Sequence, residues 1–445
     1  MTASRVLAVD LGATSVRVAA VDLGAAQPAV DVIHRWRHDP VASPDGTLRW
    51  DWPRIVAEVE TGLERGIGTG PVASIGVDGW GVDYGLVDGD GHLVALPYSY
   101  RDTRTEKWEA TADVIGVDRM YGVTGIQLMG INTIFQLAVH DRAELERATR
   151  LLLLPDLLVN HLSGYEGAER SNASTTGLMN IRTGEWSDQL IEEVSVDRSL
   201  FPEVVAAGRS AGSWRGVPIH LVGSHDTASA FLGMPGSGSG TVFVSTGSWV
   251  IVGLERHEVD NSVEARLANF SNEAGALGGT RLLKNVVGFW ILEQCRTAWG
   301  NPPMDLLLEE AGSVTFDVPI FDASSHRFVN PVNMEDEIRS ATRLAADAPR
   351  GVLVRSVLNS IVDGIARVVD ELSTITRTSM TRLAVVGGGA QVPLLHELLR
   401  ARTGLEVVRG STEATALGNA AVQGIAIGRF EGLEDARFWL EATRE

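Results

Sequence analysis

The chain has 445 residues, 44% of them apolar, and carries 57 acidic against 38 basic side chains for a formal net charge of −19 at pH 7. That length and apolar content predict two or three compact domains with full cores and exclude a disordered chain. The carboxylate excess argues against nucleic acid and anionic membrane surfaces as partners and leaves a small ligand in a locally built site. A single cysteine, Cys295, rules out an internal disulfide and a multi-thiolate zinc site, which fits a reducing, cytoplasmic setting. The apolar run before Asp10 is only four residues long, Val6 to Val9, too short for a secretory core, and no apolar run approaches the ~20 residues of a membrane helix.

In chain order, the apolar run 6–9 ending in Asp10 reads as a buried strand. The small polar turn Gly12-Ala13-Thr14-Ser15 and the partly alternating run 16–21 complete a β-hairpin. Residues 74–78 predict another buried strand that ends in Gly79-Trp80-Gly81-Val82-Asp83, and residues 82–87 continue as a strand to the turn 88–91. A helical pattern covers 133–150. Leu221-Val222 is a short strand that breaks at Gly223, with a small-residue helix starting near Thr227. The Gly/Ser-rich stretch 235–240 marks a boundary. Beyond it a second hairpin recurs, with strands at 241–244 and 249–253 around the turn Ser245-Thr246-Gly247-Ser248. A helix over 353–372 has apolar residues at three-and-four spacing, and a strand at 383–386 runs into Gly387-Gly388-Gly389 before a helix near Pro393. Alternating strands and helices predict an α/β fold. The repeated hairpin suggests a duplicated lobe, giving expected domains 1–235 and 236–430 with a tail at 431–445.

The common phosphate-binding motifs place a glycine loop between a strand and a helix N-terminus. This chain has no P-loop sequence, and its glycine-rich turns sit between strands or in other settings. Turns rich in Gly, Ser and Thr can nest phosphate oxygens, although any hairpin needs such residues. Asp10, beside the first turn, suits Mg²⁺ held directly or through water, or equally an Asx-type turn. Asp226 lies at a strand-to-helix turn with His225 and either accepts a proton or caps the helix. Trp80 offers either a packing face for a sugar or a core residue. The triple glycine permits close approach of a flat ligand.

Taken together, residues 6–12, Val77-Asp78-Gly79-Trp80-Gly81-Val82-Asp83, Ser224-His225-Asp226-Thr227 and Val386-Gly387-Gly388-Gly389 resemble the FGGY carbohydrate kinases. Residues 100–105, 171–176, 283–285, 327–331 and 413–419 extend the likeness from about residue 5 to about residue 430. The resemblance implies two actin-like, ribonuclease-H-like lobes with ATP and a ketose in the cleft between them. It implies transfer of the γ-phosphoryl group to the 1-hydroxyl of L-rhamnulose, with L-fuculose, xylulose or a polyol as alternative acceptors. A non-kinase ATPase or sugar sensor of the same fold is the rival class. By the same carry-over Asp226 is the general base, and Gly81, His225, Thr227 and Asn285 touch the sugar. Ala13, Thr14, Ser15, Val16, Arg17 and Ser248 line the ATP phosphates, and Gly388 borders the nucleoside. Four positions depart from the family pattern. Gly79 replaces a common Thr, Val16 a Gly, Val392 a polar residue, and Glu293 a glutamine expected to meet ATP.

Overall fold

The computed structural model describes residues 4–442 except 235, 237, 239, 248, 329 and 330, and omits the side chains of Val287 and His326. The first part of the chain forms β1 (Arg5–Gly12), β2 (Ser15–Asp22), β3 (Val30–Arg37), α1 (Trp52–Gly68), β4 (Ser74–Gly79), α2 (Leu154–Ser163), β5 (Ser210–Trp214), β6 (Val217–His220) and α3 (Asp226–Leu232). It continues with β7 (Thr241–Thr246), β8 (Trp249–Arg256), β9 (Ser271–Ala274), β10 (Thr280–Val287), α4 (Trp290–Ala298), α5 (Arg350–Thr376), β11 (Arg382–Gly387), α6 (Pro393–Thr403), β12 (Glu406–Arg409), α7 (Ala414–Ala426) and α8 (Leu433–Glu441). Both expected hairpins form, with β1 against β2 and β7 against β8 in antiparallel register.

Two compact units result. The first comprises Met1–Gly233, Glu255–Leu282 and Glu413–Glu445, and the second Met234–Leu254 and Leu283–Thr412. Each unit is therefore built from separate stretches of the chain. The chain returns to the first unit twice because apolar residues there complete its core: Leu417, Ala421, Trp439 and Leu440 pack with Val6, Val21 and Leu23.

The sheet of the first unit has the order β5-β6-β4-β1-β2-β3. β1, β2 and β3 are antiparallel neighbours, whereas β1–β4 and β4–β6 pair in parallel. The alternation of side chains along β1 divides its faces. Leu7, Val9 and Leu11 join a cluster with Ile55, Val59 and Leu63 of α1 and Leu154 and Leu158 of α2. Val6 and Ala8 belong to separate clusters that contain residues of α7, so Asp10, in the same phase, also lies on that face. α7 can press close because the crossing uses small residues. A Cβ added at Gly418 would stand 1.8 Å from the Ser229 carbonyl oxygen of α3, and one at Gly233 would stand 2.0 Å from that of Ala414.

In the second unit the strand order is β10-β8-β7-β11-β12, with β7–β11 and β11–β12 parallel. α5 runs 27 residues, longer than its apolar stripe, since Thr374 and Thr376 donate to the carbonyls of Asp370 and Leu372 in a final polar turn. Cys295 is buried on α4, and burial pushes its thiol up to about 12.

The helix expected over 133–150 is instead two, Thr133–Ala138 and Arg142–Arg147. The Asp141 carboxylate accepts from the Ala143 amide and starts the second, and Arg150–Leu153 becomes a strand paired with Tyr84–Val87. That pairing also removes Tyr84–Val87 from the sheet containing β4. Among the described residues no helix is long and apolar enough to cross a membrane.

The crossing of α3 and α7 makes a stability prediction. Gly418→Val should destabilise the protein by roughly 2 to 4 kcal/mol, because backbone cannot yield as a side chain does. Gly122→Ala, in the helix Val117–Thr124 with nothing within 4 Å, should be neutral or gain up to about 1 kcal/mol. Thermal melts of the two variants check this, and equal melting temperatures would contradict it.

Candidate active site

Two strands bring two carboxylates together. Asp10 and Asp78 are register partners on the parallel strands β1 and β4, so their side chains share the α7 face. Both are buried, Asp78 completely. Asp10 pairs with Arg17, its partner across the hairpin, and Arg17 reaches Glu413 at 3.0 Å. Asp78 accepts from the Asn419 amide at 2.6 Å through Oδ2, and its Oδ1 has no hydrogen-bond partner among the described residues. Burial pushes the Asp10 carboxyl up to about 6, against the pull of Arg17 and with Asp226 and Glu413 adding to it. Asp78 is raised well above the carboxylate range, first by burial and then by Asp10 and Asp226. Three carboxylates therefore compete for negative charge in one place.

The third sits on the segment 224–227, held beside the end of β4. The Gly79 amide donates to the Ser224 carbonyl at 2.9 Å, and Gly79 bridges His225 in parallel. Behind it, the buried Glu169 carboxylate accepts from the Ser171 and Ser224 amides at 2.9 Å each and from the Ser224 hydroxyl at 3.0 Å. The His225 amide donates to Ser171 Oγ. His225, rather than Asp226, occupies the N-cap position of α3, and Asp226 is the first helical residue. Its carboxylate accepts from the Thr227 hydroxyl at 3.0 Å and keeps 29% of its side-chain surface exposed. His225 Nε2 lies 3.6 Å from Asp226 Oδ1.

The turn that carries Gly81 is tightly determined. Val82 has φ 69°, a backbone conformation that costs a β-branched residue energy. It is held there by Thr175 Oγ1, which accepts from its amide, and by Thr133 and Gln136, which donate to its carbonyl. The buried Asp83 carboxylate accepts from the indoles of Trp50 and Trp80, the Gln136 amide and the Tyr100 backbone. Trp80 is thus a core residue, its ring centroid 4.7 Å from that of Trp50. At Gly79 no side chain fits, since a Cβ there would meet Leu11 Cβ at 2.6 Å.

In the first hairpin turn, the Gly12 carbonyl meets His38 Nε2 at 2.9 Å, the Ala13 carbonyl accepts from Arg101 at 3.0 Å, and the Thr14 carbonyl accepts from the His38 amide. Thr14 is exposed, Ala13 and Ser15 are half-buried, and Val16 is fully in the core. Val16 can therefore offer a ligand only its backbone. The exposed 88–92 turn brings Asp88, Asp90 and His92 together, and the Asp88 carboxylate serves the turn by accepting from the amides of Asp90 and His92.

Asn285 on β10, Glu293 on α4 and Gly388 belong to the second unit. Ser248 lies outside the described residues. Glu293 is ion-paired to Arg296 at 2.9 Å on the same helix. Gly387 takes φ 81°, which favours glycine. The Gly389 amide donates to Thr246 Oγ1 at 2.8 Å, tying the triple glycine to the end of β7, while a Cβ on Gly388 would meet nothing within 4 Å. Val392 at the N-cap of α6 provides no side-chain cap.

Comparison with known proteins agrees with this architecture. The N-terminal domain of the FGGY family of carbohydrate kinases matches residues 5–233, and its C-terminal domain matches residues 242–427. A rhamnulokinase of Enterobacter sp. (strain 638) is 33% identical, covering 98% of this chain and 92% of the relative. One from Enterococcus faecalis (strain ATCC 700802 / V583) is 34% identical over 98% and 92%. Among solved structures, a xyloylose kinase from Brucella ovis superposes with TM-score 0.77 at 19% identity, covering 97% of this chain and 92% of that one. A Plasmodium falciparum glycerol kinase with ADP does so with TM-score 0.79 at 15% identity, covering 98% and 92%. At those identities the structures speak for the fold alone, and the sequence matches speak for the family. The chain belongs to the FGGY family of carbohydrate kinases, and its two units carry that family's actin-like, ribonuclease-H-like α/β fold.

Proposed function

We propose that this enzyme transfers the γ-phosphoryl group of ATP to the 1-hydroxyl of L-rhamnulose, with Asp226 as general base. The observation that carries the substrate is the near-full-length likeness to rhamnulokinases from separate bacteria. What supports Asp226 as the base is its exposure. Asp10 and Asp78 are buried and pushed toward their neutral forms, whereas Asp226 is the most exposed of the three.

The residues fit a divalent cation. The donor set is all carboxylate, as Mg²⁺ prefers, and the unpartnered Oδ1 of Asp78 is a buried acceptor in want of positive charge. Asp10 and Asp78 would hold Mg²⁺ or its water shell. When bound, Mg²⁺ would neutralise phosphate charge. The protein's own groups account for the rest. Asp226 takes the proton of the sugar hydroxyl as its oxygen bonds to the γ-phosphorus and the bond from phosphorus to the β,γ-bridging oxygen breaks to release ADP. His225 and the Gly81 turn position the sugar with Asn285. Residues 13–17, with Ser248, receive the phosphates. The guanidinium of Arg17, already shared between Asp10 and Glu413, supplies the nearby positive charge. Thr227 orients the Asp226 carboxylate from the adjacent position. Gly388 borders the nucleoside, and Glu293, held by Arg296, accepts from ribose or adenine.

Substrate and base have separate tests. In an ADP-coupled assay across L-rhamnulose, L-fuculose, xylulose and small polyols, L-rhamnulose should give the highest kcat/KM, with the product phosphorylated on O1. A higher value for another sugar would reassign the substrate, and sugar-independent ATP hydrolysis alone would point to an ATPase. Asp226→Asn should keep the fold and sugar binding while kcat falls by roughly 10² to 10⁴. Near-normal turnover would remove Asp226 from the reaction.

A further inference from the structure

Behind His225 lies a buried ion pair that neither the first hairpin nor the carboxylate face explains. Arg281 on β10 has none of its side chain exposed, and Glu273 on β9 has 5%. The two meet at 3.1 Å. Arg281 also donates through Nε to the Ala274 carbonyl at 3.2 Å, and Ser271 donates to Glu273 Oε1 at 3.0 Å. Burial would raise the Glu273 carboxyl, yet the Arg281 guanidinium beside it holds it down at about 2, so it stays charged and anchors the guanidinium. Such a pair is a poor source of stability, since desolvation of both charges offsets most of their attraction. A positional role explains its presence better.

The imidazole of His225 has one nitrogen toward this pair and the other toward Asp226. Nδ1 is 3.3 Å from Arg281 Nη2 in hydrogen-bonding geometry. Glu273 Oε2 is 3.2 Å from the same nitrogen but makes no hydrogen bond, so it lies off the ring N–H direction. Arginine has donors and no acceptor. A ring nitrogen that accepts from it carries no proton, and the neutral imidazole then bears its proton on the opposite nitrogen.

We infer that Arg281, anchored by Glu273, is a positioning residue that holds His225 as the Nε2–H tautomer and directs that proton toward Asp226 and the sugar. His225 then presents a donor to substrate oxygen beside the carboxylate that accepts the reacting proton, and the two groups do not exchange roles. The inference rests on the kinase reading only in placing the sugar at His225.

Long-range proton–nitrogen correlation on full-length protein labelled with ¹⁵N-histidine reads the tautomer directly, without sugar or nucleotide. The His225 signals are assigned by their loss in His225→Gln. A pyrrole-type Nε2 and a pyridine-type Nδ1 are expected, and a proton on Nδ1, alone or together with Nε2, overturns the inference. The double variant Glu273→Gln/Arg281→Met leaves neither buried charge alone. In it the proton should shift toward Nδ1, and kcat/KM for the sugar should fall roughly tenfold. A folded double variant with the wild-type tautomer overturns it as well, while the wild-type spectrum decides the matter if that variant does not fold. Because no sugar is present, the tautomer and the substrate assignment fail independently.

Discussion

The burial of the register partners Asp10 and Asp78 on one face of the sheet is the constraint around which the first unit is arranged. Burying even one carboxylate is costly, and placing register partners on adjacent parallel strands multiplies the cost. The protein compensates in part, with Arg17 on Asp10 and the Asn419 amide on Asp78. It leaves Asp78 Oδ1 without a hydrogen-bond partner among the described residues. A site so short of positive charge favours a cation and disfavours the same pocket without one. In this way an acidic chain can be suited to a polyanionic nucleotide: the charge that matters is local, and the net value of −19 says little about it.

The arrangement needs α7. Its small residues let it cross α3 at backbone contact, which fixes the helix that begins at Asp226. α7 also turns Asn419 onto Asp78 and Gln423 onto the Leu7 carbonyl. α7 begins beyond residue 412, after the whole of the second unit. The first unit's site is thus complete only when the chain has returned, which couples its assembly to segments far apart in sequence.

Much of this was legible from the residues. The continuous apolar run ending in Asp10 and the small turn after it identify a hairpin, and the Ser224-His225-Asp226-Thr227 segment announces a strand-to-helix turn. In the sequence Asp78 reads only as part of a strand. Its signal was a charged residue in an otherwise apolar run, which gains meaning only once β4 is known to lie parallel to β1 in the phase that matches Asp10. Glu273 and Arg281 carried no local signal, because their role comes from a contact with His225 about fifty residues earlier. The helix expected over 133–150 failed for a local reason, since Asp141 caps a new helix in mid-pattern. The discontinuous units were hidden because chain returns leave no mark in composition.

The claim that the paired carboxylates form the cation site is tested most directly by electron paramagnetic resonance of Mn²⁺ bound with a non-hydrolysable ATP analogue. Asp10→Asn and Asp78→Asn should each weaken Mn²⁺ binding by roughly tenfold or more while leaving the melting transition cooperative. Wild-type affinity in both variants would contradict the account and place the cation elsewhere.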